Sequence, residues 1–288
     1  MTRKAFVVGH PIAHSRSPLI HNHWIAHYGL SGRYEARDVA PDDFVGFLEG
    51  FRDEGFVGGN VTIPHKEAAF AGVVHASERA RRLGAVNTLW LDNGALCGDN
   101  TDITGYLANL DAACEPGWEG RAGSALVLGA GGAARAVVAG LIERGLSPIR
   151  LVNRTRERAE ALAGIFAGYG KNVSITVHGF EDLPALVPQV GLIVNTTSLG
   201  MAGQPPLPLD LGPCRDDAIV SDIVYVPLET PLLAMARARG LACVDGLGML
   251  LHQAVPGFER WFGIRPEVTR ALRELIERDL FAGKGSRE

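Results

Sequence analysis

The feature that most constrains the fold is the stretch SALVLGAGGAARAVVAGLIERG, residues 124–145. It reads as a short apolar strand, a glycine-rich turn and the start of a helix. Gly129, Gly131 and Ala134 form a G-x-G-x-x-A arrangement, whose small residues permit a tight turn and a close approach of backbone to a pyrophosphate. Free N–H groups and the dipole at the helix N-terminus also favour phosphate. A glycine trio occurs in packing turns as well, but the strand–turn–helix context favours dinucleotide binding.

The end of the next predicted strand indicates which dinucleotide binds. An NAD site carries Asp or Glu at this point to accept a hydrogen bond from the ribose 2′-hydroxyl. No acid stands at this strand tip, where the chain has Asn153, Arg154, Thr155, Arg156 and Arg158. Guanidinium groups pair with a 2′-phosphate, whereas a carboxylate repels it. The alternative is a basic first helical turn on the surface, which the dipole disfavours without an anion, so the pattern favours NADP.

Short apolar strands alternate with helical patterns along the chain. Strands are predicted at 5–8, 34–37, 55–60, 86–90, 126–128, 149–153, 173–177, 192–195, 219–222 and 242–244. Helices are predicted at 18–28, 41–51, 133–144, 156–167 and 231–239, and the pattern from residue 248 is purely helical. This alternation is typical of parallel sheets built from right-handed crossovers. The Gly-rich stretch Cys114–Ser124 is the predicted linker.

Composition and patterning exclude several classes of function. A net charge of −4 and a pI near 6.1 leave no basic field for nucleic acid. Four scattered cysteines without a C-x-x-C motif predict free thiols in a reducing compartment. The apolar run at the N-terminus is too short for a signal peptide, no stretch reads as a membrane span, and the five histidines from His10 to His27 lack metal-ligand spacing. We therefore expect a cytoplasmic protein with no metal, nucleic-acid or membrane partner.

The stretch GNVTIPHKEA, residues 59–68, places Lys66 just beyond a strand end and at the mouth of a predicted helix. A cation there faces the positive end of the helix dipole, so the placement is locally unfavourable. The chain has only four lysines against twenty-four arginines. Arginine stays protonated at working pH, whereas a lysine can be brought into catalytic range by its setting. The segment alone favours the alternative, a solvated surface residue. In a dehydrogenase that acts on an alcohol, however, a lysine with a pKa lowered by the helix N-terminus could take the hydroxyl proton.

Two further stretches carry polar candidates. The sequence GDNTD ends in Asp102, which is a candidate partner of the lysine, although its spacing alone favours an N-cap of the helix that follows. The sequence HSRSP places Ser17 before Pro18, as in an N-cap followed by a first helical residue. Ser15 has no such structural explanation. The two hydroxyls at a helix start predict a small site for a carboxylate.

Together these stretches resemble the shikimate dehydrogenase family over nearly the whole chain. The resemblance is carried by GHPIAHSRSPLIHN, GGNVTIPHKEAAF, LGAVNTLW, GDNTD, LGAGGAARA, VNRTRERAE, VNTTSLGM, DIVYVPLETPLL and DGLGMLLHQAVPGFE. The lysine-bearing block, GDNTD and DGLGMLLHQA, in that order, are specific to the family. The glycine motif is shared with many nucleotide-binding proteins and adds little.

The resemblance implies an oxidoreductase that reversibly reduces 3-dehydroshikimate to shikimate with NADPH and without a metal, in aromatic amino acid biosynthesis. It implies an α/β fold of two domains. One is an N-terminal substrate domain with a mostly parallel sheet, residues 1–104 plus 248–288. The other is a Rossmann-type NADP-binding domain, residues 105–247, with the active site in the cleft between the two. A homodimer is compatible with the sequence, which does not determine the oligomeric state.

The resemblance also implies roles for individual residues. Lys66 and Asp102 would form the catalytic pair. The substrate would be bound by Ser15, Ser17, Thr62, Asn87, Tyr225 and Gln253. NADP would contact Gly129, Ala130, Gly131, Gly132, Ala133, Ala134, Asn153, Arg154, Thr155, Arg158, Gly248 and Met249.

The chain departs from the family pattern at a few positions. Ile103 follows Asp102 where family members often carry glycine, which is expected to affect the helix start. His65 and Arg16 are interpreted as variable positions, with Arg16 exposed or, alternatively, a lid over the substrate carboxylate. Two other functions remain open. One is a quinate/shikimate dehydrogenase of the same family, and the other is a nucleotide-binding regulatory protein without turnover, which would need neither Lys66 nor Asp102.

Overall fold

The computed structural model describes residues 2–169 and 173–282. The chain divides into two compact units. We call Met1–Thr101 with Leu251–Glu288 the N-terminal unit, and Asp102–Leu250 the central unit. The domain boundaries expected from the sequence, at 104/105 and 247/248, stay a prediction.

The described residues form strands and helices that alternate along most of the chain. The strands are β1 (Arg3–Gly9), β2 (Gly32–Asp38), β3 (Phe56–Val61), β4 (His75–Ala76), β5 (Thr88–Asp92), β6 (Ala95–Asp99), β7 (Ala125–Leu128), β8 (Ile149–Val152), β9 (Ile175–His178), β10 (Leu192–Asn195), β11 (Ile219–Asp222) and β12 (Ala242–Val244). The helices are α1 (Ser17–His27), α2 (Phe44–Gly50), α3 (Lys66–Gly72), α4 (Glu78–Leu83), α5 (Asp102–Ala113), α6 (Trp118–Ala122), α7 (Gly132–Glu143), α8 (Arg156–Ile165), α9 (Leu183–Leu186), α10 (Pro231–Ala238), α11 (Gly246–Phe262) and α12 (Arg270–Ala282). Short 3-10 segments cover Pro41–Asp43, Phe180–Asp182 and Val187–Gln189.

The N-terminal unit is built on a mixed six-stranded sheet in the order β2-β1-β3-β5-β6-β4. The β1–β2, β1–β3 and β4–β6 pairings are parallel, and the β3–β5 and β5–β6 pairings are antiparallel. The expectation of a mostly parallel sheet is confirmed. The antiparallel hairpin β5–β6 turns at Asn93 and Gly94, both with positive φ (48° and 83°), as a two-residue hairpin requires.

Two glycines of β3 let bulky groups pack directly on that strand. A Cβ at Gly59 would overlap the Phe6 ring, and one at Gly58 would overlap the indole nitrogen of Trp261. That indole nitrogen donates to Leu89 O at 2.8 Å, which ties α11 to β5. The core of the unit collects around Phe6, with Phe47, Phe51 and Phe56 packed edge-on at 5.0–5.4 Å between ring centroids.

The central unit is an open, wholly parallel sheet in the order β12-β11-β10-β7-β8-β9. Counted from β7, this is the 3-2-1-4-5-6 order of a dinucleotide-binding fold. Strands β7 and β10 are buried along their whole length, as expected of a sheet covered on both faces. The Rossmann-type fold expected from the sequence is confirmed.

Several elements differ from the sequence-based expectation. Strands β4 and β6 and helix α4 were not predicted, and the predicted linker contains α6. Trp118 of α6 is buried and its indole donates to Asp111 Oδ1 at 3.0 Å, so this Gly-rich stretch is packed against α5. In the described part of the chain, no helix has the length and apolar character needed to cross a membrane.

Candidate active site

Lys66 is the first residue of α3 and is half-buried. The N–H of the preceding residue, His65, donates to Thr62 O at 3.0 Å and closes the turn between β3 and α3. The carbonyl of Lys66 accepts from Val86 N at 2.9 Å. This hydrogen bond fixes the start of α3 beside Val86, the residue that precedes Asn87.

His65 anchors this helix start to the rest of the N-terminal unit. Its side chain is buried, and its ring stacks on Phe44 at 4.3 Å between centroids, with only 3° between the ring planes. Its Nε2 lies 2.7 Å from Val39 O, and because a carbonyl only accepts, Nε2 carries the proton. The interpretation of His65 as a variable position missed this structural role, for which the sequence carries no periodic signal.

Thr62 lies at the carboxyl end of β3, beside the turn that carries Lys66. Its N–H donates to Val8 O at 2.9 Å. A Cβ at Gly9 would lie 2.5 Å from the Thr62 methyl group, so the glycine permits the close approach of β1 to this residue. The side chain of Thr62 is half-buried.

Asn87 is buried and held on both its backbone and its side chain. Its N–H donates to Asp99 O at 3.0 Å, and its carbonyl accepts from Val61 N at 2.9 Å. Its Oδ1 accepts from Thr101 N at 2.7 Å, and its Nδ2 lies 3.5 Å from Gln253 Oε1 of α11. Two predicted substrate residues, Asn87 and Gln253, are thus brought together in the N-terminal unit.

Asp102 directly follows Thr101 and is the first residue of α5. It therefore lies inside the first helical turn, where an acid is favoured by the dipole, and not in front of the helix. Ile103 is fully buried, and a Cβ at Gly140 of α7 would lie 3.5 Å from its Cγ2. Helix α5 starts at Asp102 with isoleucine in place, because Ile103 packs into the core of the central unit.

The two serines at the start of α1 differ from the roles that the sequence indicates. The prediction that Ser17 caps α1 is wrong, because the helix begins at Ser17 and its cap position is Arg16 without a side-chain cap bond. The Ser17 side chain is buried. The Ser15 hydroxyl instead accepts from Ser17 N at 3.4 Å. Both hydroxyls nevertheless lie at the start of α1.

Arg16 is half-buried and not a plain exposed residue, which corrects the interpretation favoured from the sequence. Its Nε lies 2.5 Å from Asp279 Oδ2 of α12, and its Nη1 donates to His14 O at 2.8 Å. The segment with Ser15 and Ser17 is therefore tied to the last helix of the N-terminal unit.

The glycine-rich turn of the central unit has one glycine that the fold requires and two that leave space. Gly129 has φ +110°, and a Cβ there would lie 2.5 Å from Thr196 Oγ1, which itself donates to Leu128 O at 2.6 Å. No atom lies within 4 Å of a Cβ built on Gly131 or Gly132, both of which are exposed. Ala134 is buried, whereas Ala130 and Ala133 are half-buried. The space above the turn is open where α7 begins.

The tip of β8 borders a pocket of about 230 Å³. It is lined by Asn153, Arg154, Arg156, His178, Gly179, Phe180 and Glu181. Asn153 Nδ2 donates to Thr155 O at 2.7 Å and shapes the turn into α8. Arg154 and Arg158 are exposed, and among the described residues neither forms an ion pair. The last three lining residues could not be found from the strand-tip motif, because they belong to the segment after β9.

Tyr225, Gly248 and Met249 lie in segments shaped by buried polar side chains. Asp222 is buried and accepts from Asn195 Nδ2, Val224 N and Thr230 Oγ1 at 2.8–3.0 Å, and burial raises the pKa of its carboxyl. These bonds fix the start of the segment with Tyr225, whose side chain is half-buried. A Cβ at Gly248 would overlap Oδ1 of Asn109, whose Nδ2 donates to Asp245 O at 2.7 Å. Gly248 thus has a packing reason of its own, and Met249 beside it is half-buried.

No group of three or more His, Cys, Asp or Glu side chains within residues 2–169 and 173–282 is arranged to hold a metal ion. The candidate donors and acceptors of the N-terminal unit are the amides of Asn87 and Gln253, the hydroxyls of Ser15, Ser17 and Thr62, and the amine of Lys66. Such a set suits a polyhydroxylated acid, which needs many directional hydrogen bonds.

Comparison with known proteins gives a consistent family match. Residues 7–89 match the family described as shikimate dehydrogenase substrate binding domain, residues 119–201 match shikimate / quinate 5-dehydrogenase, and residues 246–276 match shikimate 5'-dehydrogenase C-terminal domain. A shikimate dehydrogenase (NADP(+)) of Methylobacterium radiotolerans is 61% identical over 281 residues, which cover 97% of this chain and 98% of the relative.

Two solved structures resemble the chain along almost its full length. Shikimate 5-dehydrogenase of Thermus thermophilus, in complex with NADP(H) and shikimate, is 38% identical with a TM-score of 0.83, over 96% of this chain and 99% of that one. Quinate dehydrogenase of Corynebacterium glutamicum, in complex with NAD, is 29% identical with a TM-score of 0.87, over 96% and 98% of the two chains.

Proposed function

This chain belongs to the shikimate dehydrogenase family, and we propose that it reversibly reduces 3-dehydroshikimate to shikimate with NADPH, in aromatic amino acid (chorismate) biosynthesis. The observation that carries the proposal is the fixed polar group of the N-terminal unit. Asn87 and Gln253 lie 3.5 Å apart, beside the backbone bond that holds Lys66. This arrangement supports a ligand that offers several hydroxyls to directional partners.

In this proposal NADP accepts the hydride of the substrate C–H bond during oxidation and NADPH returns it during reduction. Lys66 takes the hydroxyl proton when the alcohol is oxidised and gives it back when the ketone is reduced. Proton transfer of this kind contributes roughly 10²–10⁴ in rate. Asp102, at the start of α5, orients the amine.

The remaining predicted residues divide between the substrate and the cofactor. We assign the substrate carboxylate to Ser15 and Ser17, with Tyr225 near it, because two hydroxyls at a helix start favour an anion. We assign the ring oxygens to Thr62, Asn87 and Gln253. Gly248 and Met249 are placed by the nicotinamide in this proposal.

The cofactor is assigned to the glycine-rich turn and the tip of β8. Residues 129–134 would hold the pyrophosphate, for which the open space above Gly131 and Gly132 is the supporting observation. The 2′-phosphate is assigned to Asn153, Arg154, Thr155 and Arg158. The absence of an acid at this strand tip supports NADP, since a carboxylate there would repel the phosphate.

A quinate dehydrogenase is the second candidate, favoured by the similarity to the Corynebacterium glutamicum structure. The experiment that decides is a comparison of kcat/KM for shikimate and quinate, each measured with NADP and with NAD. We expect the highest value for shikimate with NADP. A higher kcat/KM for quinate would overturn the substrate assignment, and a higher value with NAD would overturn the cofactor assignment.

We also place the enzyme in the cytoplasm, as a homodimer. Its four cysteines are free, which agrees with a reducing compartment. Light scattering of the purified protein tests the oligomeric state, because one chain has a mass of 30.7 kDa and a dimer has twice that mass. A single-chain mass at assay concentrations contradicts the dimer.

A further inference from the structure

The side-chain amide of Asn87 can adopt only one of its two orientations. The N–H of Thr101 points at this amide, and the contact distance to Oδ1 is 2.7 Å. A backbone N–H only donates, so the oxygen of the amide must face Thr101 and the nitrogen must face away. The nitrogen lies on the side of Gln253, 3.5 Å from its Oε1.

A buried chain of hydrogen bonds ends on the same Asn87 oxygen. Tyr34 Oη donates to Asn60 Oδ1 at 2.7 Å, and Asn60 Nδ2 lies 3.2 Å from Thr88 Oγ1. The Thr88 and Thr101 hydroxyls are 3.0 Å apart, and they lie 3.0 Å and 3.1 Å from Asn87 Oδ1. All five side chains are buried.

The direction of this chain follows from groups that can only accept or only donate. Asn60 Nδ2 also faces the carbonyl oxygen of Asn87 at 3.2 Å, so the nitrogen of that amide is on this side and its oxygen faces Tyr34. Burial raises the pKa of the Tyr34 phenol well above its ordinary value, so the phenol keeps the proton it donates.

The two threonines complete the direction. Thr88 accepts from Asn60, so its own hydrogen turns toward Thr101 Oγ1 or Asn87 Oδ1. The hydrogen of Thr101 then points at Asn87 Oδ1. The hydrogen bonds of this chain therefore run toward the oxygen of Asn87, and the NH₂ group of Asn87 lies on the opposite side, toward Gln253.

We propose that Thr88 and Thr101 are positioning residues that hold Asn87 as a hydrogen-bond donor to an oxygen of the substrate. The inference rests on the proposed function, in which Asn87 binds a ring oxygen. Without the two hydroxyls, the amide oxygen loses partners that are not replaced in a buried site, and the amide is less strongly held in this orientation. A rotated amide presents its oxygen in place of the NH₂ group, so a substrate oxygen that accepts from Asn87 loses this hydrogen bond.

The test compares Thr88→Val and Thr101→Val with Thr88→Ser and Thr101→Ser. Valine keeps the shape and removes the hydroxyl, whereas serine keeps the hydroxyl. We expect each valine variant to raise the KM for shikimate about fivefold to tenfold, the range set by one neutral hydrogen bond, while the KM for NADP stays within twofold. The serine variants should stay within twofold of the wild type for both substrates.

The double variant Thr88→Val/Thr101→Val sharpens the test. Because both hydroxyls act on one amide, the double variant should raise the KM for shikimate by less than the product of the two single effects. Valine variants with an unchanged KM for shikimate would overturn the inference. So would a rise of both KM values that follows a fall in Tm and is not restored by serine.

The wild-type assay separates this inference from the function on which it rests. A wild-type enzyme that does not oxidise shikimate with NADP overturns the proposed function and this inference with it. An active wild type whose valine variants behave as the wild type overturns the positioning role alone. If Thr101→Val does not fold, the Thr88 pair still decides, since Thr88 lies at the start of β5 and does not adjoin Asp102.

Discussion

The two units of this chain prepare their candidate binding groups by different means. In the N-terminal unit, buried side chains form hydrogen bonds with one another, and these bonds fix the side chain of Asn87. In the central unit, the candidate site is an open glycine turn with exposed arginines at the next strand tip. The first arrangement specifies direction for a small polar ligand, and the second leaves room for a large anionic one. Substitutions should therefore act through chemistry and hydrogen bonding in the first unit, and through space and charge in the second.

The largest effect is expected from Lys66→Arg. The variant keeps the positive charge at the start of α3 but cannot release a proton at working pH. We expect kcat for shikimate oxidation to fall by about 10²–10⁴, with a smaller change in KM. Lys4→Arg is the matched control, since Lys4 lies over the Phe56 ring at 4.9 Å in another part of the unit. A kcat within twofold of the wild type would show that Lys66 does not transfer the proton.

The next effect separates two glycines of the central unit. Gly129→Ala should lower the free energy of unfolding by about 3 kcal/mol, because alanine is strained at φ +110° and its Cβ meets Thr196. Gly131 has φ −90° and open space where a Cβ would lie, so Gly131→Ala should leave Tm unchanged. The added methyl group should raise the KM for NADP, because it occupies space assigned to the pyrophosphate. Thermal unfolding and NADP kinetics of both variants check this. Equal effects of the two substitutions on Tm would contradict the assignment of Gly129 to the fold and of Gly131 to cofactor binding.

A smaller effect concerns pH and the buried His21 of the N-terminal unit. Burial lowers the pKa of His21 to about 3. The unfolded chain takes up a proton near pH 6.5, so the stability that His21 contributes is complete above that pH and is lost as pH falls toward 3. Between pH 7 and pH 5 the loss is about 2 kcal/mol.

The variant His21→Phe tests this term, because a phenylalanine can keep the stacking on Tyr34 at 4.1 Å. Urea unfolding at pH 7 and pH 5 should show the stability difference between variant and wild type shifting by about 2 kcal/mol in favour of the variant. A difference that does not change with pH contradicts the account. Asp222 of the central unit has the opposite sign, since its raised pKa gives stability that is lost as pH rises above about 3.8.

The smallest effect is expected from Arg154→Ala at the tip of β8. Loss of one exposed guanidinium partner of a 2′-phosphate should raise the KM for NADP about tenfold and leave the KM for NAD nearly unchanged. Arg278→Ala, an exposed arginine of α12, is the control. An equal rise in the KM for NADP and in the KM for NAD would show that Arg154 does not bind the 2′-phosphate.

The central unit was the easier of the two to predict from the sequence. Its strands are short, and β7, β10 and β11 are buried at every position. Strands 192–195, 219–222 and 242–244 were predicted with their observed ends. The glycine motif at residues 129–134 stands between a recognisable strand and a recognisable helix, β7 and α7. Hydrophobic periodicity and motif spacing are sufficient to predict a segment whose structure depends on its local sequence alone.

The N-terminal unit shows what such rules miss. Strand β6 was overlooked although Asn93-Gly94 is a strong hairpin signal. The Tyr34–Asn60 bond joins residues 26 positions apart, through a register that no local pattern reveals. The cap assigned to Ser17 was wrong because α1 begins one residue earlier than its sequence indicates, at Ser17 itself, with Arg16 at the cap position.

The most direct test of the division between the units is to measure binding and turnover on one variant, Lys66→Ala. If the N-terminal unit performs the proton transfer and the central unit holds the cofactor, the Kd for NADPH should stay within twofold of the wild type, while kcat with shikimate and NADP falls at least a hundredfold. NADPH fluorescence titration and steady-state kinetics give the two values. An unchanged kcat, or a loss of NADPH affinity that matches the loss of kcat, would contradict the account.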